Sequence, residues 1–368
     1  MKIGIDARND GTGVGRYTFS LVRELARIDG ENEYVLFVSR ERFATEPAPG
    51  PNFRLVEAGI PWFTLREQLS LPRLVAQEQP DLMHYPHLTV PLLSRTPFVV
   101  TVHDLNYLDA DAIAGPTDKR PLRSGMRRAG YRLELLKARR ARRLIAVSEH
   151  TRETLVRRLR IDSARTAVTY EAADTTAAIE PDTTVLRRHG LDSPFFLYVG
   201  SAYPYKNLAR LIEAFARLGG GYRLVLAGNQ EHFGASLEEH AAAAGLADQV
   251  LFTGSVSETE LAALYSGALA YTFVSLSEGF GLPGLEAMAA GVPVIAATAG
   301  SLPEIYDDAA RYCDPLDVES IAMALADVAS DERLRNDLVA RGRKRVREFS
   351  WRRTAEQTLT VYREALLH

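Results

Sequence analysis

The chain has 368 residues, of which 46% are apolar and 25% charged, with a formal net charge of −3 at pH 7. This length suits two domains of ordinary size, and Cys313, the single cysteine, excludes an intrachain disulfide and favours a reducing cytosol. No stretch approaches the roughly 20 apolar residues of a membrane-spanning helix, and MKIGIDAR reads as a first strand without a signal region, so we expect any membrane contact to be peripheral.

Short apolar strands alternate with helical patterns along the chain, as in the βαβ units of a parallel sheet. An amphipathic helix, RYTFSLVRELARI, follows the first strand, and residues 170–190 lose strand character and are predicted to form a hinge. We therefore predict an α/β protein with two domains, 1–175 and 185–349. The predicted strands are 2–6, 33–39, 82–85, 98–103 and 143–148 in the first half, and 195–200, 223–228, 250–254, 269–275 and 293–297 in the second.

The charge is distributed unevenly. Residues 1–180 hold 27 Lys and Arg against 23 Asp and Glu, whereas the remainder holds 17 against 24. Eleven basic residues and only one acid, Glu134, fall within 119–143. This run is either a solvated helix face or a surface for anionic lipid. Nucleic acid is disfavoured as a partner, because no aromatic residues for base stacking are interleaved with these charges.

The segment SEGFGLPGLEAMAAGVP at 277–293 points most directly to a ligand. Pro283 suits the first turn of a helix, which leaves the preceding glycine-rich turn at the positive end of the helix dipole, where a diphosphate is favoured. Glu278 precedes the helix and Glu286 lies about one turn into it, so both carboxylates can accept hydrogen bonds from hydroxyls of one ligand. We predict a nucleotide-diphosphate sugar site. The alternative is that Glu278 is a solvated loop residue and Glu286 a carboxylate of the first helical turn that the helix dipole favours. The backbone positions predicted to approach the diphosphate are Gly279, Phe280, Gly281 and Leu282.

Lys206 lies in the turn GSAYPYKNL between a predicted strand and a helix. Ligands of open α/β sheets bind outside the carboxyl ends of the strands, so a lysine there can neutralise a diphosphate. The alternative is an ordinary surface lysine.

The glycine-rich loop GTGVGRY at 11–17 follows the first strand and opens a helix, as a phosphate-binding loop does. Arg16 stands where the full G-x-G-x-x-G spacing requires glycine, so a simple tight turn is the alternative. The candidate residues of this loop are Gly13, Gly15 and Arg16.

Histidines lie in or just after two predicted strands. His103 and Asp104 end the strand FVVTV, and we expect His103 to face a ligand with Asp104 orienting it; the alternative is a histidine with purely structural hydrogen bonds. His84 and His87, in MHYPHLTVP, lack a second ligand pair at metal-binding spacing, so we predict no metal site. We interpret both histidines, together with Asp104, as acceptor-side residues.

These segments resemble the retaining glycosyltransferases of family 4, whose C-terminal domain carries a Glu, seven residues, Glu motif much like SEGFGLPGLEAMAAGVPVI. The resemblance runs along almost the whole chain. It implies the GT-B architecture, in which two Rossmann-like domains with parallel sheets face each other across a cleft, and it implies that the helix 350–368 packs back on the first domain.

The resemblance also implies roles for the candidate residues. His103, Lys206 and Glu278 would form the catalytic group, with Lys206 on the diphosphate and the other two on the donor sugar, while Glu286 would bind the ribose. Gly13, Gly15 and Arg16 would line the cleft near the donor phosphates, and Gly228 and Val256 would lie near the nucleotide base. Many family members carry an arginine five or six residues before the lysine, where this chain has Gly200 and Ser201.

The implied activity is retaining, metal-independent hexosyl transfer without a cofactor, by a same-face attack. GIDAR, GVGRY, VHDL and YPYKNL are most similar to bacterial O-antigen, capsule and exopolysaccharide transferases, which favours GDP-mannose as donor and a glycan or lipid-linked acceptor. The implied location is cytoplasmic, with peripheral attachment to the inner membrane face through 119–143 as an alternative. A GT-B-fold nucleotide-sugar epimerase or hydrolase, and a non-catalytic nucleotide-sugar-binding protein, are the rival functions.

Overall fold

The computed structural model describes residues 1–62, 64–106, 133–173, 182–229 and 234–367. These residues form two compact units. The first comprises the described residues up to 171 together with the C-terminal helix from 350, and the second comprises the described residues from 172 to 349.

The first unit is built on a seven-stranded sheet in the order β3-β2-β1-β4-β5-β6-β7, and every neighbouring pair is parallel. The central strands are almost completely buried, as expected for a parallel sheet covered on both faces. The strands are β1 Lys2–Ala7, β2 Glu33–Val38, β3 Phe53–Glu57, β4 Leu82–Tyr85, β5 Phe98–Val102, β6 Arg143–Ala146 and β7 Thr166–Val168.

The helices of the first unit are capped by hydroxyl side chains at several N-termini, as at Thr12, Thr64 and Ser148. A short helical segment also spans 133–138. The C-terminal helix packs against α1, and its Thr354 hydroxyl donates a hydrogen bond to the Tyr170 carbonyl oxygen at 2.6 Å. The helices are α1 Gly13–Ile28, α2 Arg40–Thr45, α3 Leu65–Glu78, α4 Glu149–Leu159 and, at the C-terminus, α13 Trp351–Leu367.

The second unit is built on a six-stranded parallel sheet in the order β10-β9-β8-β11-β12-β13. Its strands are β8 Phe195–Val199, β9 Arg223–Ala227, β10 Val250–Gly254, β11 Ala270–Phe273, β12 Val294–Ala297 and β13 Ala310–Cys313. Its helices are α5 Thr183–Arg188, α6 Leu208–Leu218, α7 Gly234–Ala243, α8 Glu258–Gly267, α9 Leu282–Ala289, α10 Leu302–Tyr306, α11 Val318–Ser330 and α12 Glu332–Val346.

The predicted α/β fold class is confirmed, since both units contain parallel sheets with intervening helices. All ten predicted strands are present, and the structure adds β3, β7 and β13, which the sequence did not indicate. In each sheet the chain reverses its winding direction beside the first strand, between β1 and β4 and between β8 and β11. Ligands bind at the carboxyl ends of strands beside such switch points, and most of the candidate residues follow those strand ends.

Candidate active site

The loop before α9 is held in one conformation by Tyr306. Helix α9 begins at Leu282 with Pro283 in its first turn, as predicted, and its N-terminus has no side-chain cap. Gly281 has φ +108°, which favours glycine, and its carbonyl oxygen accepts a hydrogen bond from the Tyr306 hydroxyl at 2.6 Å. A Cβ on Gly284 would lie 2.1 Å from that hydroxyl oxygen. The glycines here therefore serve close packing as well as backbone conformation.

The same loop is supported from the turn before α10. The Ser301 hydroxyl oxygen lies 3.0 Å from the Phe280 carbonyl oxygen and 3.2 Å from that of Glu278, so its one proton is shared between them. The Ser301 backbone amide donates to the Glu278 carbonyl oxygen at 3.1 Å. Gly300 has φ +61°, and a Cβ there would lie 2.6 Å from the Glu278 backbone. The Phe280 ring is buried edge-on against Phe349, so the donor contact predicted for Phe280 is restricted to its backbone.

Lys206 and Glu278 form a direct ion pair, with 2.6 Å between Nζ and Oε1. Both side chains are largely buried, at 13% and 11% exposure, so this pair is screened less than a surface pair. The Lys206 ammonium also lies 4.9 Å from the centre of the Tyr205 ring. Asn207 fixes the turn, because it adopts φ +64° and its buried side-chain amide donates to the carbonyl oxygens of Val274 and Pro315. The two catalytic candidates of the second unit are thus brought together.

Tyr198 packs against Gly200 and Ser201, the positions at which the sequence lacks an arginine. Its hydroxyl donates to the Ser201 carbonyl oxygen at 2.8 Å, and a Cβ on Gly200 would lie 2.8 Å from the same hydroxyl. Gly200 also has φ +148°, and a Cβ on Gly228 would lie 2.2 Å from its carbonyl oxygen. The close backbone approach of Gly200 and Gly228 therefore accounts for glycine at both positions.

Glu286 is oriented by Tyr265, a residue that the sequence did not indicate. The Tyr265 hydroxyl lies 3.2 Å from both Glu286 Oε2 and the Pro283 carbonyl oxygen. Tyr265 extends from α8, whose N-terminus carries a capping box between Ser257 and Glu260. The contact thus ties the orientation of the Glu286 carboxylate to a second helix.

The nucleotide-base candidates lie along the same sheet edge. Gly228 follows β9, Val256 follows β10, and the Gly228 amide donates to the Gly254 carbonyl oxygen at 2.8 Å. Val256 is half-buried, so part of it is available to a ligand. Neither residue has a tested role, and the base contact stays a prediction.

In the first unit, His103 is held by Glu171 and not by Asp104, which corrects the expected orienting partner. His103 Nδ1 lies 2.8 Å from Glu171 Oε1, and Nε2 lies 2.9 Å from the Pro86 carbonyl oxygen. Asp104 instead accepts a hydrogen bond from the amide of Asn106. Tyr17 packs its ring against His103 at 4.8 Å with an interplanar angle of 85°.

These contacts determine the charge of His103. Burial opposes the positive charge, but the hydrogen bond and the attraction of Glu171, with smaller contributions from the Pro86 carbonyl and Asp104, raise the pKa of His103 overall. Since a carboxylate and a carbonyl only accept hydrogen bonds, this arrangement favours a His103 ring that is protonated on both nitrogens, the imidazolium.

His84 is a packing residue in this structure, which corrects the acceptor-side interpretation of its side chain. It is fully buried, with Nδ1 2.7 Å from the Tyr362 hydroxyl and Nε2 2.8 Å from the Thr101 hydroxyl. Burial, with repulsion from His103, lowers the pKa of His84 to about 3, so the ring is neutral. Both nitrogens are occupied in attaching α13 to the sheet, so the ring does not reach an acceptor.

His87 remains an acceptor-side prediction. Its side chain is half-buried, and its ring packs edge-on against Trp62 at 6.0 Å. Its Nδ1 atom is buried and has no hydrogen-bond partner among the described residues. Burial, with repulsion from His103, lowers the pKa of His87 to about 4. His87 is thus a neutral imidazole.

The glycine-rich loop is explained largely by its own packing. Thr12 caps α1 by accepting a hydrogen bond from the Gly15 amide at 3.0 Å, so this amide already has a partner. A Cβ on Gly15 would lie 1.8 Å from the Asn9 carbonyl oxygen, whereas one on Gly13 would meet nothing. Gly13 and Arg16 are exposed, and their donor contacts stay predictions.

Only part of the basic run 119–143 is described, since 119–132 lies outside the described residues. Within 133–143, Lys137 is buried and pairs with Glu134 at 2.6 Å, so it is not part of a solvated face. Arg140 donates to the carbonyl oxygens of Leu92 and Ser94. In the described ranges no helix is long and apolar enough to cross a membrane, and no group of three or more His, Cys, Asp or Glu side chains could hold a metal ion.

Two family models match the chain. Residues 11–177 match the model described as Glycosyltransferase Family 4, and residues 186–345 match the model described as Glycosyl transferases group 1. Together they include His103, Lys206, Glu278 and Glu286.

Among curated proteins, the O-antigen chain mannosyltransferase B of Escherichia coli is 33% identical over 46% of this chain and 45% of that protein, so the match spans less than half of that relative. The O-antigen chain mannosyltransferase RfbU of Salmonella typhimurium is 25% identical over 86% of this chain and 87% of that protein. The alpha-maltose-1-phosphate synthase of Mycolicibacterium smegmatis is 30% identical over 74% of both chains.

Solved structures show the same fold at low identity. A sucrose-phosphate synthase from Thermosynechococcus elongatus is 23% identical, with a TM-score of 0.77 over 99% of this chain and 98% of that chain. The Anabaena protein HepE, solved with UDP-glucose, is 17% identical, with a TM-score of 0.76 over 99% of both chains. With both family models and relatives that span most of its length, this chain belongs to the glycosyltransferases of family 4, the group 1 glycosyl transferases.

Proposed function

We propose that this glycosyltransferase moves a hexose, with retention of anomeric configuration, from a nucleotide-diphosphate sugar to a glycan or lipid-linked acceptor in cell-surface polysaccharide synthesis. GDP-mannose is the favoured donor, and the reaction takes place in the cytoplasm. The observation that carries the proposal is the Lys206–Glu278 pair beside the uncapped N-terminus of α9. In this largely buried pair, Lys206 supplies a cation that can bind a diphosphate, and Glu278 supplies a carboxylate that can accept hydrogen bonds from sugar hydroxyls.

The choice of sugar and pathway is supported by relatives. Two of them, matched over quite different shares of the chain, are O-antigen chain mannosyltransferases. HepE, which shares the fold, was solved with UDP-glucose, so the fold alone does not select the base.

In the proposed reaction the bond between the anomeric carbon and the diphosphate breaks, and the acceptor oxygen bonds to the same face of that carbon. The departing phosphate takes the acceptor proton. Charge grows on the diphosphate as this bond breaks, so Lys206 and the α9 dipole stabilise the transition state more than the ground state. We therefore assign this role to protein groups and propose a reaction without a metal ion.

His103 contributes positive charge in this proposal. Both of its ring N–H groups already have acceptors, Glu171 and Pro86. A direct hydrogen bond to the donor sugar would require the ring to release one of them. We therefore propose an electrostatic role for the imidazolium and treat a direct sugar contact as secondary.

A donor screen tests the proposal. Thermal unfolding with GDP-, UDP-, ADP- and TDP-sugars identifies the ligand, since a ligand present at 100 times its Kd adds about 2.7 kcal/mol of stability. The stabilising donor is then incubated with acceptor glycan, with and without EDTA, and the product anomer is determined by NMR. Retained configuration in both samples supports the proposal, and an inverted product or an EDTA-sensitive rate contradicts it. Conversion of donor without acceptor would indicate an epimerase or hydrolase, and binding without turnover a non-catalytic protein.

A further inference from the structure

Three segments of the first unit expose leucines and arginines together. The exposed leucines are Leu65 (85%), Leu69 (50%), Leu92 (48%), Leu93 (53%), Leu133 (48%) and Leu136 (57%). The exposed arginines between them are Arg66, Arg73, Arg95, Arg139 and Arg140. We call these eleven residues the leucine–arginine surface. Single exposed leucines are ordinary, but six in adjacent segments form a patch that requires an explanation.

The three segments are joined directly. The Leu92 amide donates to the Gln68 side chain of α3 at 2.7 Å. Arg140, which follows the helical segment 133–138, donates to the Leu92 carbonyl oxygen at 2.7 Å and to the Ser94 carbonyl oxygen at 3.0 Å. The inner sides of α3 and 133–138 share one hydrophobic core through Leu71 and Leu135. The three segments of the leucine–arginine surface therefore lie beside one another on the outside of this core.

The described residues of this surface carry only positive exposed charge. The stretches that hold it, 65–73, 92–95 and 133–140, contain two acids, and both are paired internally. Glu67 is buried and lies 2.8 Å from the Arg8 guanidinium, and Glu134 pairs with Lys137. Burial, only partly offset by Lys137, raises the pKa of Glu134. The field at the surface therefore comes from the arginines.

We propose that the leucine–arginine surface docks the first unit on an anionic phospholipid bilayer, with the leucines entering the headgroup and acyl boundary and the arginines binding lipid phosphates. Interleaved leucine and arginine is the chemistry of an interfacial membrane surface. A second copy of the chain fits less well, because a symmetric contact would bring five arginines against five arginines. Such docking brings the first unit to a membrane-held acceptor, so it rests on the proposed function. All eleven residues of the leucine–arginine surface lie outside the segment 119–132.

Co-sedimentation of the full chain with vesicles tests this docking without donor or acceptor. Vesicles of phosphatidylcholine with 30% phosphatidylglycerol are compared with pure phosphatidylcholine. We compare wild type with a leucine variant, Leu65→Gln, Leu69→Gln, Leu92→Gln and Leu93→Gln, and with an arginine variant, Arg66→Gln, Arg73→Gln and Arg95→Gln. The matched control carries Leu316→Gln and Met323→Gln, two exposed apolar residues of the second unit. Thermal unfolding confirms that each variant folds.

Wild type and the matched control are expected to bind anionic vesicles equally, within twofold. The leucine variant should bind anionic vesicles at least tenfold more weakly than wild type, and the arginine variant about fivefold more weakly per arginine replaced. Binding of the wild type should fall as the salt concentration rises. Equal binding of all proteins, equal binding to neutral vesicles, or a dimer in sedimentation velocity that the leucine variant abolishes would each overturn the proposal. Turnover of a water-soluble acceptor by the leucine variant separates loss of docking from failure of the proposed function.

Discussion

Glu171 Oε1 lies 2.8 Å from Nδ1 of His103, although 68 positions separate the two residues in the sequence. His103 follows β5, and Glu171 follows the edge strand β7. The second ring nitrogen donates to the Pro86 carbonyl oxygen, so the ring is fixed in orientation and in charge. His84 and His87, both neutral, and Asp104 are the other titratable groups that act on this ring. Glu171 is thus a positioning residue for His103.

Glu171→Gln is expected to lower the pKa of His103, because the variant keeps the shape of the side chain and removes the anion. NMR titration of the imidazole measures this directly, with Asp104→Asn as a control that should change the pKa less. We expect kcat to fall at least tenfold at pH 7, about 1.4 kcal/mol, with the remaining activity shifted to lower pH. An unchanged histidine pKa together with unchanged kcat would contradict the role of Glu171.

Lys206→Ala is expected to reduce kcat by about 2.7 to 4 kcal/mol, typical for removal of one electrostatic stabiliser of a developing anion. The Lys206–Glu278 pair adds a second effect, because the variant leaves Glu278 without its counterion beside the proposed diphosphate position. Steady-state kinetics and isothermal titration with the nucleotide diphosphate measure the two effects.

The double variant Lys206→Ala, Glu278→Gln separates these effects. It should bind the nucleotide diphosphate more tightly than Lys206→Ala alone, since the uncompensated carboxylate is gone, while kcat stays low. Near-wild-type kcat in Lys206→Ala would remove this lysine from the mechanism.

Tyr265→Phe is expected to weaken nucleotide binding by about fivefold, because one hydrogen bond to the Glu286 carboxylate, at 3.2 Å, is lost. Glu286→Ala should weaken binding more, and adding Tyr265→Phe to it should have little further effect, since the two residues act as one unit. Isothermal titration of the three variants gives the comparison. Fully additive losses would show that Tyr265 acts independently of Glu286.

The interior of the fold could be predicted from the sequence. Ten strands were found because their apolar runs are long and uninterrupted, as in LAYTFVS. The missing strands, β3, β7 and β13, are sheet edges, where one side of the strand is less buried and polar residues break the run. The charge run 119–143 was interpreted as a unit, but Lys137 within it is buried because the core includes the inner side of 133–138.

The site could be predicted only in part. Lys206, Glu278, Glu286 and His103 lie in recognisable motifs, and local spacing indicates the turns that hold them. Glu171 and Tyr265 reach their partners through the tertiary fold, and no local spacing relates them to those partners. The one available signal for Glu171 is its place three residues after TAV, a strand too short to recognise alone. The acceptor-side interpretation of His84 fails because the sequence does not show that α13 covers this residue.

The last prediction concerns stability at acid pH. The folded pKa of His84 is about 3 and that of His87 about 4, both below the ordinary value of 6.5. Between its folded pKa and 6.5, each of these two histidines binds more protons in the unfolded chain than in the folded one. The stability that comes from keeping both rings neutral is therefore complete above pH 6.5 and is lost as the pH falls. His103 has the opposite sign, because its pKa is raised. Its stabilisation is complete below pH 6.5 and is lost as the pH rises through its folded pKa.

Urea unfolding at pH 7 and pH 5 tests the contribution of His84. From its unfolded pKa we expect His84 alone to account for about 2 kcal/mol of the stability lost between these two pH values. His84→Gln removes the titration but keeps a polar group near the hydroxyls of Tyr362 and Thr101. The variant should be less stable at pH 7 by about 1 to 3 kcal/mol, through imperfect hydrogen bonding, yet lose less stability than wild type on acidification. An equal loss in both proteins would mean that the buried ring takes up its proton without unfolding, contrary to the neutral, fully bonded imidazole in the structure.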